Sequence, residues 1–215
     1  MKGAIFDMDG LMFDTERLWQ KNWHAIADEM GVELDPQFGK DICGTNGKLM
    51  NKVIEKYYHV EDGGPIAKDC TNRVHADLEK EVPEKPGIHE ILKWLKENNF
   101  RIAVASSSPR PLIERNLKMT DTLQYIDVCC SGTEVKHGKP APDLFLHAAE
   151  LIGLPAEECY IFEDAYNGIR AAYSAGGKPI MVPDTQEPDD EMKEKAHAIC
   201  TTLLDALEVL KKENA

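Results

Sequence analysis

Short runs dominated by apolar residues, each stopped abruptly by polar or charged ones, recur through the second half of the chain. Residues 101–105, 126–130, 159–162, 179–182 and 198–200 are such runs, and residues 4–6 make a sixth near the start. Between them lie longer stretches whose apolar residues return every three or four positions: 88–97, 111–118, 142–152, 166–175 and 203–211. Runs of the first kind predict strands buried on both faces, and stretches of the second kind predict amphipathic helices. Their alternation predicts an α/β fold, a Rossmann-like, mostly parallel sheet covered by helices on both faces.

Residues 16–82 break this rhythm and contain no convincing strand. Trp19, Trp23, Ile26, Ala27 and Met30 share one helical face, and Gly31 can end that helix. Leu49, Val53, Ile54 and Tyr57 form a second stripe, with Asn46 a plausible N-cap. Ile66, Cys70, Val74, Leu78 and Val82 form a third. The pattern predicts a small all-helical domain, residues 16–82, inserted after the first strand of a core made of residues 1–15 and 83–215. Its joints fall near residues 13–16 and at Pro83-Glu84-Lys85-Pro86-Gly87, where two prolines and a glycine mark a linker. Two crossings would let the insert rock over the sheet edge.

Composition narrows the classes. At 215 residues, 42% hydrophobic and 29% charged, this is a soluble globular protein with room for a core domain and a smaller one. With 38 acidic against 25 basic residues, the net charge of −13 argues against nucleic acid or an anionic membrane as partner. No apolar run has the roughly 18 residues of a membrane span. No secretory signal is visible, so a cytoplasmic protein is expected, with a monomer as the default. The six cysteines include no Cys-x-x-Cys pair and read as reduced, mostly buried thiols. An anionic substrate would need local positive charge from a metal, a lysine or helix N-termini.

Candidate chemistry sits at the strand ends. The first strand ends in Asp7-Met8-Asp9-Gly10. Two carboxylates one residue apart can hold a divalent cation, or divide the roles of nucleophile and acid–base. The second ends in Ser106-Ser107-Ser108-Pro109, where hydroxyls and free amides at a helix start suit a phosphate, or Ser107 or Ser108 simply caps the helix. Lys139, just before a proline, can neutralise phosphate or tie carboxylates together. A fourth run ends in Glu163-Asp164, where Asp164 could equally cap the next helix. Carboxylates converging on one edge would repel without a cation, and Mg2+, with its preference for oxygen ligands and phosphate, fits.

Taken in order, Asp7-Met8-Asp9-Gly10, Ser106, Lys139-Pro140 and Glu163-Asp164 resemble the four signature motifs of the haloacid dehalogenase superfamily of phosphotransferases. The resemblance covers nearly the whole chain, with the helical insert where that family carries a helical cap. The stretches Phe6–Glu16 and Gly138–Asp143 point to its branch of sugar phosphatases and β-phosphoglucomutase. The resemblance implies Asp7 as nucleophile, forming an aspartyl phosphate, and Asp9 as general acid and then base. It implies Mg2+ on Asp7, the Asp9 main-chain carbonyl and Asp164, with Glu163 reaching it through water. Ser106, the Ser107 amide and Lys139 would bind phosphate. Ala165 departs from several relatives, which have serine there.

The same branch divides by what accepts the phosphoryl group. In β-phosphoglucomutases a histidine of the first cap helix and an arginine of a cap loop help hold the sugar phosphate; the matching positions here are Trp19 and the vicinity of Gly47. Lys48 could supply charge, but not a two-pronged fork. These departures favour a phosphatase over a mutase. Phosphonate cleavage would need a cap lysine such as Lys21 or Lys48, which nothing marks as desolvated, and a binding protein that has lost turnover is a further alternative. The expected substrate is a small phosphomonoester such as a sugar phosphate. Trp19, Trp23, Asn46, Lys48 and Arg73 are candidate cap contacts, although both tryptophans also fit simple core packing.

Overall fold

The computed structural model describes residues 2–43, 45 and 47–214. In chain order the first elements are β1 (Gly3–Phe6), α1 (Thr15–Met30), α2 (Phe38–Ile42), α3 (Gly47–Tyr58), α4 (Gly64–Leu78) and α5 (Ile88–Glu97). Then come β2 (Arg101–Ser106), α6 (Arg110–Met119), β3 (Val128–Ser131), α7 (Asp143–Leu151) and β4 (Cys159–Glu163). The last are α8 (Tyr166–Ser174), β5 (Lys178–Met181), α9 (Asp190–Lys195), β6 (Ala198–Ile199) and α10 (Leu203–Glu213). The chain divides into two compact units, Met1–Phe13 with Pro83–Ala215, and Asp14–Val82.

In the first unit all six strands are parallel, in the order β3-β2-β1-β4-β5-β6. Every residue of β1 is buried because both faces of the sheet are covered. On one face Ile5, Ala103, Cys130 and Ile161 pack against Leu144, Phe145 and Ala148 of α7 and Ala171 and Ala172 of α8. Residues alternating with these point to the opposite face. There Phe6 stacks on Phe162 with ring centroids 4.3 Å apart, and Trp94 of α5 reaches Tyr160 through Phe100. The strand order reverses between β1 and β4. In open α/β sheets the crevice outside the carboxyl ends at such a point is where ligands bind.

Two details differ from the pattern. β3 begins at Val128 and not at residue 126, because Ile126 closes the 3-10 turn Leu123–Tyr125, its amide donating to Leu123 O. Asp127 then turns inward to accept from the Ile102 amide at 2.8 Å and pairs with Lys96 at 2.7 Å. Helix α9 is also unannounced: of its six residues only Met192 is buried, and its start rests on Asp189 accepting from the Met192 amide.

The second unit packs four helices, α1 against α4 and α3 against both α2 and α4. Its centre is aromatic. Phe38, from the short α2 that the apolar pattern does not reveal, lies 6.0 Å from Trp23, 5.4 Å from Tyr57 and 5.7 Å from Tyr58, all edge-on. The Tyr58 hydroxyl donates to Trp23 O at 2.7 Å, so the ring is buried without an orphaned donor. Two stripe residues lie outside this core: Met30 is 45% and Leu49 59% exposed. The buried face of α3 is instead Ile54, Tyr57 and Tyr58. Asn46, the expected cap of α3, lies outside the described residues. No helix among the described residues is long and apolar enough to cross a membrane. All six cysteines are free, five of them buried.

Trp23 is 1% exposed and holds this aromatic centre together. Trp23→Ala is expected to cost about 3–5 kcal/mol in urea unfolding followed by far-ultraviolet circular dichroism. A loss under about 1 kcal/mol would show that the helices stand without the ring.

Candidate active site

Asp7 follows β1 directly, and its amide extends the ladder by donating to Phe162 O at 3.0 Å. Its carboxylate is therefore carried to the carboxyl edge beside Glu163, the last residue of β4. Lys139 joins the two: its ammonium donates to Asp7 Oδ1 and, at 2.5 Å, to Glu163 Oε1. The lysine side chain is 10% exposed and lies over the Phe145 ring. The other Glu163 oxygen accepts from the amides of Asp164 and Ala165 at 2.9 and 3.0 Å, just before α8. Glu163 thus takes the two amides just ahead of α8, and neither acid caps the helix itself, so the Asp164 side chain is unused for capping.

Past Met8, Gly10 turns the chain at φ 86°, a left-handed conformation that favours glycine. A β-carbon there would also lie 2.4 Å from Asp164 Oδ2, so the turn and Asp164 need each other's space. Asp9 is half-buried, and its Oδ2 accepts from Ser106 Oγ at 3.1 Å and Ser108 Oγ at 2.9 Å. Ser106 Oγ in turn accepts from the Ser108 amide at 3.0 Å. The serines therefore orient Asp9 and do not cap α6, whose N-cap is Pro109. Ser107 is exposed.

The profile of the haloacid dehalogenase-like hydrolase family matches residues 4–182. The chain belongs to the haloacid dehalogenase-like hydrolases. It is 30% identical to hexitol phosphatase B of Escherichia coli over 87% of this hydrolase and 86% of that protein. It is 32% identical to β-phosphoglucomutase of Bacillus subtilis, over 86% and 88% of the two chains. Among solved structures, a mutant of CbbY from Rhodobacter sphaeroides in complex with xylulose-(1,5)bisphosphate superposes with a TM-score of 0.75 at 25% identity, covering 94% and 95% of the chains. Phosphoric monoester hydrolysis is the activity that this membership and the phosphatases among the relatives support.

The hydrolase concentrates negative charge at this edge. Burial pushes Asp7 up to about 7 from the usual 3.8, with Glu163 and Asp9 adding to the rise and Lys139 opposing it. Burial alone would lower Lys139, but Asp7 and Glu163 hold it above its ordinary value, so it stays an ammonium. Asp164 is raised by burial and then by the charges of Glu163 and Asp7. Asp184 adds to this; one of its oxygens pairs with Lys85 at 2.5 Å while the other is buried without a hydrogen-bond partner. One lysine between Asp7 and Glu163 does not balance Asp164 as well. Asp7, Asp164 and nearby main-chain carbonyls are the hard oxygen donors that a small divalent cation takes.

The sequence-derived candidates thus group as Asp7, Lys139, Glu163 and Asp164 around one charge cluster, with Asp9 and Ser106 as a second, hydrogen-bonded pair. Ser108 and Gly168 were not among them. Ser108 sat in view within a serine run, but only the turn after β2 shows that its hydroxyl meets Asp9. A β-carbon on Gly168 would fall 1.8 Å from the Glu163 carboxyl, and nothing in the local sequence marks that approach. In the helical unit Trp23, expected as a cap contact, is instead enclosed by the aromatic core, and Trp19 is half-buried and stacked 6.0 Å from it. Lys48 is exposed in the first turn of α3, Arg73 is held by Glu29 and Asp69, and Lys21 pairs with Asp77 at 2.9 Å.

Gly168→Ala is expected to keep the circular dichroism spectrum and lower kcat by about 10- to 100-fold, because it displaces the carboxylate that positions Lys139 and Asp7. Unchanged kcat would show that Glu163 is dispensable where it stands. Asp7 yields a second expectation. Its folded pKa lies above its unfolded one, so its stabilising contribution is full below about pH 4 and is lost as the pH rises to about 7. In metal-free protein, Asp7→Asn should therefore raise Tm at pH 8 and by much less at pH 5, as read by calorimetry. An equal gain at both values would show that Asp7 titrates normally.

Proposed function

We propose that this enzyme is a Mg2+-dependent phosphatase that hydrolyses a small phosphomonoester, such as a sugar phosphate, through an aspartyl phosphate on Asp7. The observation that carries the reading is the pairing of two carboxylates in different surroundings at one sheet edge. Asp7 is buried and ion-paired with Lys139, while Asp9 is half-buried and hydrogen-bonded to Ser106 and Ser108. The first suits a nucleophile fixed in place; the second suits an acid–base group reachable by water and leaving group.

In the proposed reaction a carboxylate oxygen of Asp7 attacks phosphorus. The bond from phosphorus to the ester oxygen breaks, and that oxygen takes its proton from Asp9. Water then attacks phosphorus of the aspartyl phosphate and gives a proton back to Asp9, and the Asp7 carboxylate leaves. Lys139 and Ser106 hold phosphate oxygens, with the Ser107 amide as a further donor. Asp7, Asp164 and the Asp9 main-chain carbonyl would hold Mg2+, with Glu163 acting through water. When bound, the ion supplies positive charge against the transferring oxygens and against the surplus of buried carboxylates. The surplus charge at Asp164 and the partnerless oxygen of Asp184 support that fit.

Hydrolysis is preferred to a mutase reaction because Trp19 and Lys48 stand where a β-phosphoglucomutase would present a histidine and, nearby, an arginine. The helical unit, residues 14–82, is assigned to substrate selection, with Trp19 and Lys48 as its contacts and Asn46 as a candidate outside the described residues. The test is phosphate release from a panel of sugar and sugar-alcohol phosphates, nucleotides and aromatic esters with Mg2+, with EDTA and in Asp7→Asn. Metal-dependent release that Asp7→Asn reduces by at least about 10³-fold is expected. Release unaffected by that change would remove Asp7 as nucleophile. No release, with interconversion of β-glucose 1-phosphate and glucose 6-phosphate in the presence of a bisphosphate primer, would replace the phosphatase by a mutase.

A further inference from the structure

Away from the carboxylate edge, Cys130, Glu134 and His147 each bring one ligand atom within 4.8 Å of the other two. They come from three elements: Cys130 from β3, Glu134 from the single turn Gly132–Glu134 that follows it, and His147 from α7. Cys130 is fully buried, and among the described residues its thiol has no hydrogen-bond partner. His147 is 34% exposed, which gives the group a route to solvent. Thiol, imidazole and carboxylate together are the donors of a borderline-soft transition-metal ion and not of Mg2+ or Ca2+. Zinc bonds of about 2.3 Å to sulfur and 2.0 Å to nitrogen or oxygen set these ligand atoms roughly 3.3–3.5 Å apart. Closing the present group to that spacing takes side-chain rotation, above all of Glu134, and water can complete the tetrahedron.

We propose that Cys130, Glu134 and His147 form a transition-metal site of the zinc type, and that its occupancy acts on Asp9 through the turn between β3 and α7. On binding, a bond forms from the metal to Cys130 Sγ and the thiol proton passes to solvent. The ion must compete for Glu134. Arg110, at the start of α6, donates to both Glu134 oxygens at 2.6 and 2.8 Å, and the Ser131 amide donates to Oε2 at 3.2 Å. Arg110 can yield because Glu114, a turn along α6, already lies 3.7 Å from it. Ser131 is the link to the reaction edge: its hydroxyl donates to Ser108 O at 2.7 Å, and the Ser108 hydroxyl donates to Asp9. Drawing Glu134 toward an ion takes the acceptor from the Ser131 amide and loosens the serines that orient Asp9.

The experiment is a Co2+ titration of the Mg2+-loaded 215-residue chain, followed by the thiolate-to-cobalt charge-transfer band. One Co2+ per chain with that band is expected. Cys130→Ala removes the band, and Cys200→Ala keeps it. His147→Ala, a change on a partly exposed helix face, weakens binding by about tenfold or more, and Arg110→Gln tightens it by freeing Glu134. In hydrogen exchange, Zn2+ speeds the amides of residues 106–110 in the wild type and not in Cys130→Ala. No thiolate band, a band that survives Cys130→Ala, or binding indifferent to His147→Ala overturns the site. Binding without faster exchange at 106–110 overturns the link to Asp9. Neither readout requires turnover, so the outcome is separate from that of the phosphatase assay; where the phosphatase reading holds, Zn2+ also lowers kcat at saturating Mg2+ in the wild type alone.

Discussion

Strands β1 and β4 lie side by side in parallel register, Phe6 level with Phe162, and both run out into carboxylates. That register forces Asp7 and Glu163 to the same height on one edge, with Asp164 next to them and Asp9 two residues beyond Asp7. In a buried setting such a group cannot remain fully ionised without cations, because each added charge raises the cost of the next. Lys139 answers part of the demand by pairing with Asp7 and Glu163 together. It reaches them from the segment between β3 and α7, so the chain must complete its crossover from one half of the sheet to the other before the cluster is neutralised. The topology and the electrostatics are in this sense one constraint.

The remaining contacts follow from that constraint. Gly10 clears space for Asp164, and Gly168 clears space for Glu163. In both places a side chain is absent because a carboxylate needs the volume. Asp9 avoids the cluster by leaning on Ser106 and Ser108, which lie on β2 and the loop after it. The two acids thereby acquire different environments from a single three-residue stretch. Asp7 is fixed by an ion pair and Asp9 by hydroxyl donors that leave it half-exposed. A difference of this kind lets adjacent carboxylates take different parts in one reaction.

The α/β architecture was legible because both-face burial writes each core strand as an unbroken apolar run, as in Ala4–Phe6 and Ile102–Ala105. Boundaries were less legible where side chains override the pattern. Ile126 looks like strand residue until Asp127 is seen to turn inward to Lys96 and the Ile102 amide. α2 and α9 are five and six residues long, too short for helical periodicity to register. Leu49 looked like core but is exposed, because the face that α3 buries carries Ile54, Tyr57 and Tyr58, the two tyrosines packed on Phe38. At the candidate site, strand-end motifs name the carboxylates, the serine and the lysine, but not who bonds whom. Those pairings depend on register and on turns several residues long, which single-strand patterns do not encode.

Glu163 shows how much one pairing decides. An acid before a helix ordinarily reads as its cap, and Asp164 stands where such a cap is expected before α8. Glu163, one residue earlier and with one more methylene, folds back to take the amides of Asp164 and Ala165 with one oxygen while the other accepts from Lys139. Both carboxylate oxygens of Glu163 are thereby committed, one to main-chain amides and the other to the lysine. Fixed in this way, Glu163 holds Lys139 within reach of Asp7, and the two carboxyl groups together keep the lysine charged. Asp164, relieved of capping, is left with raised affinity for a proton and no ion-pair partner among the described residues. A carboxylate that is neither capping nor paired, beside two that share a single lysine, is the arrangement in which an added cation gains most. The surplus charge that would destabilise an ordinary core is thus gathered at Asp164 and Asp7, from which a bound ion can remove it.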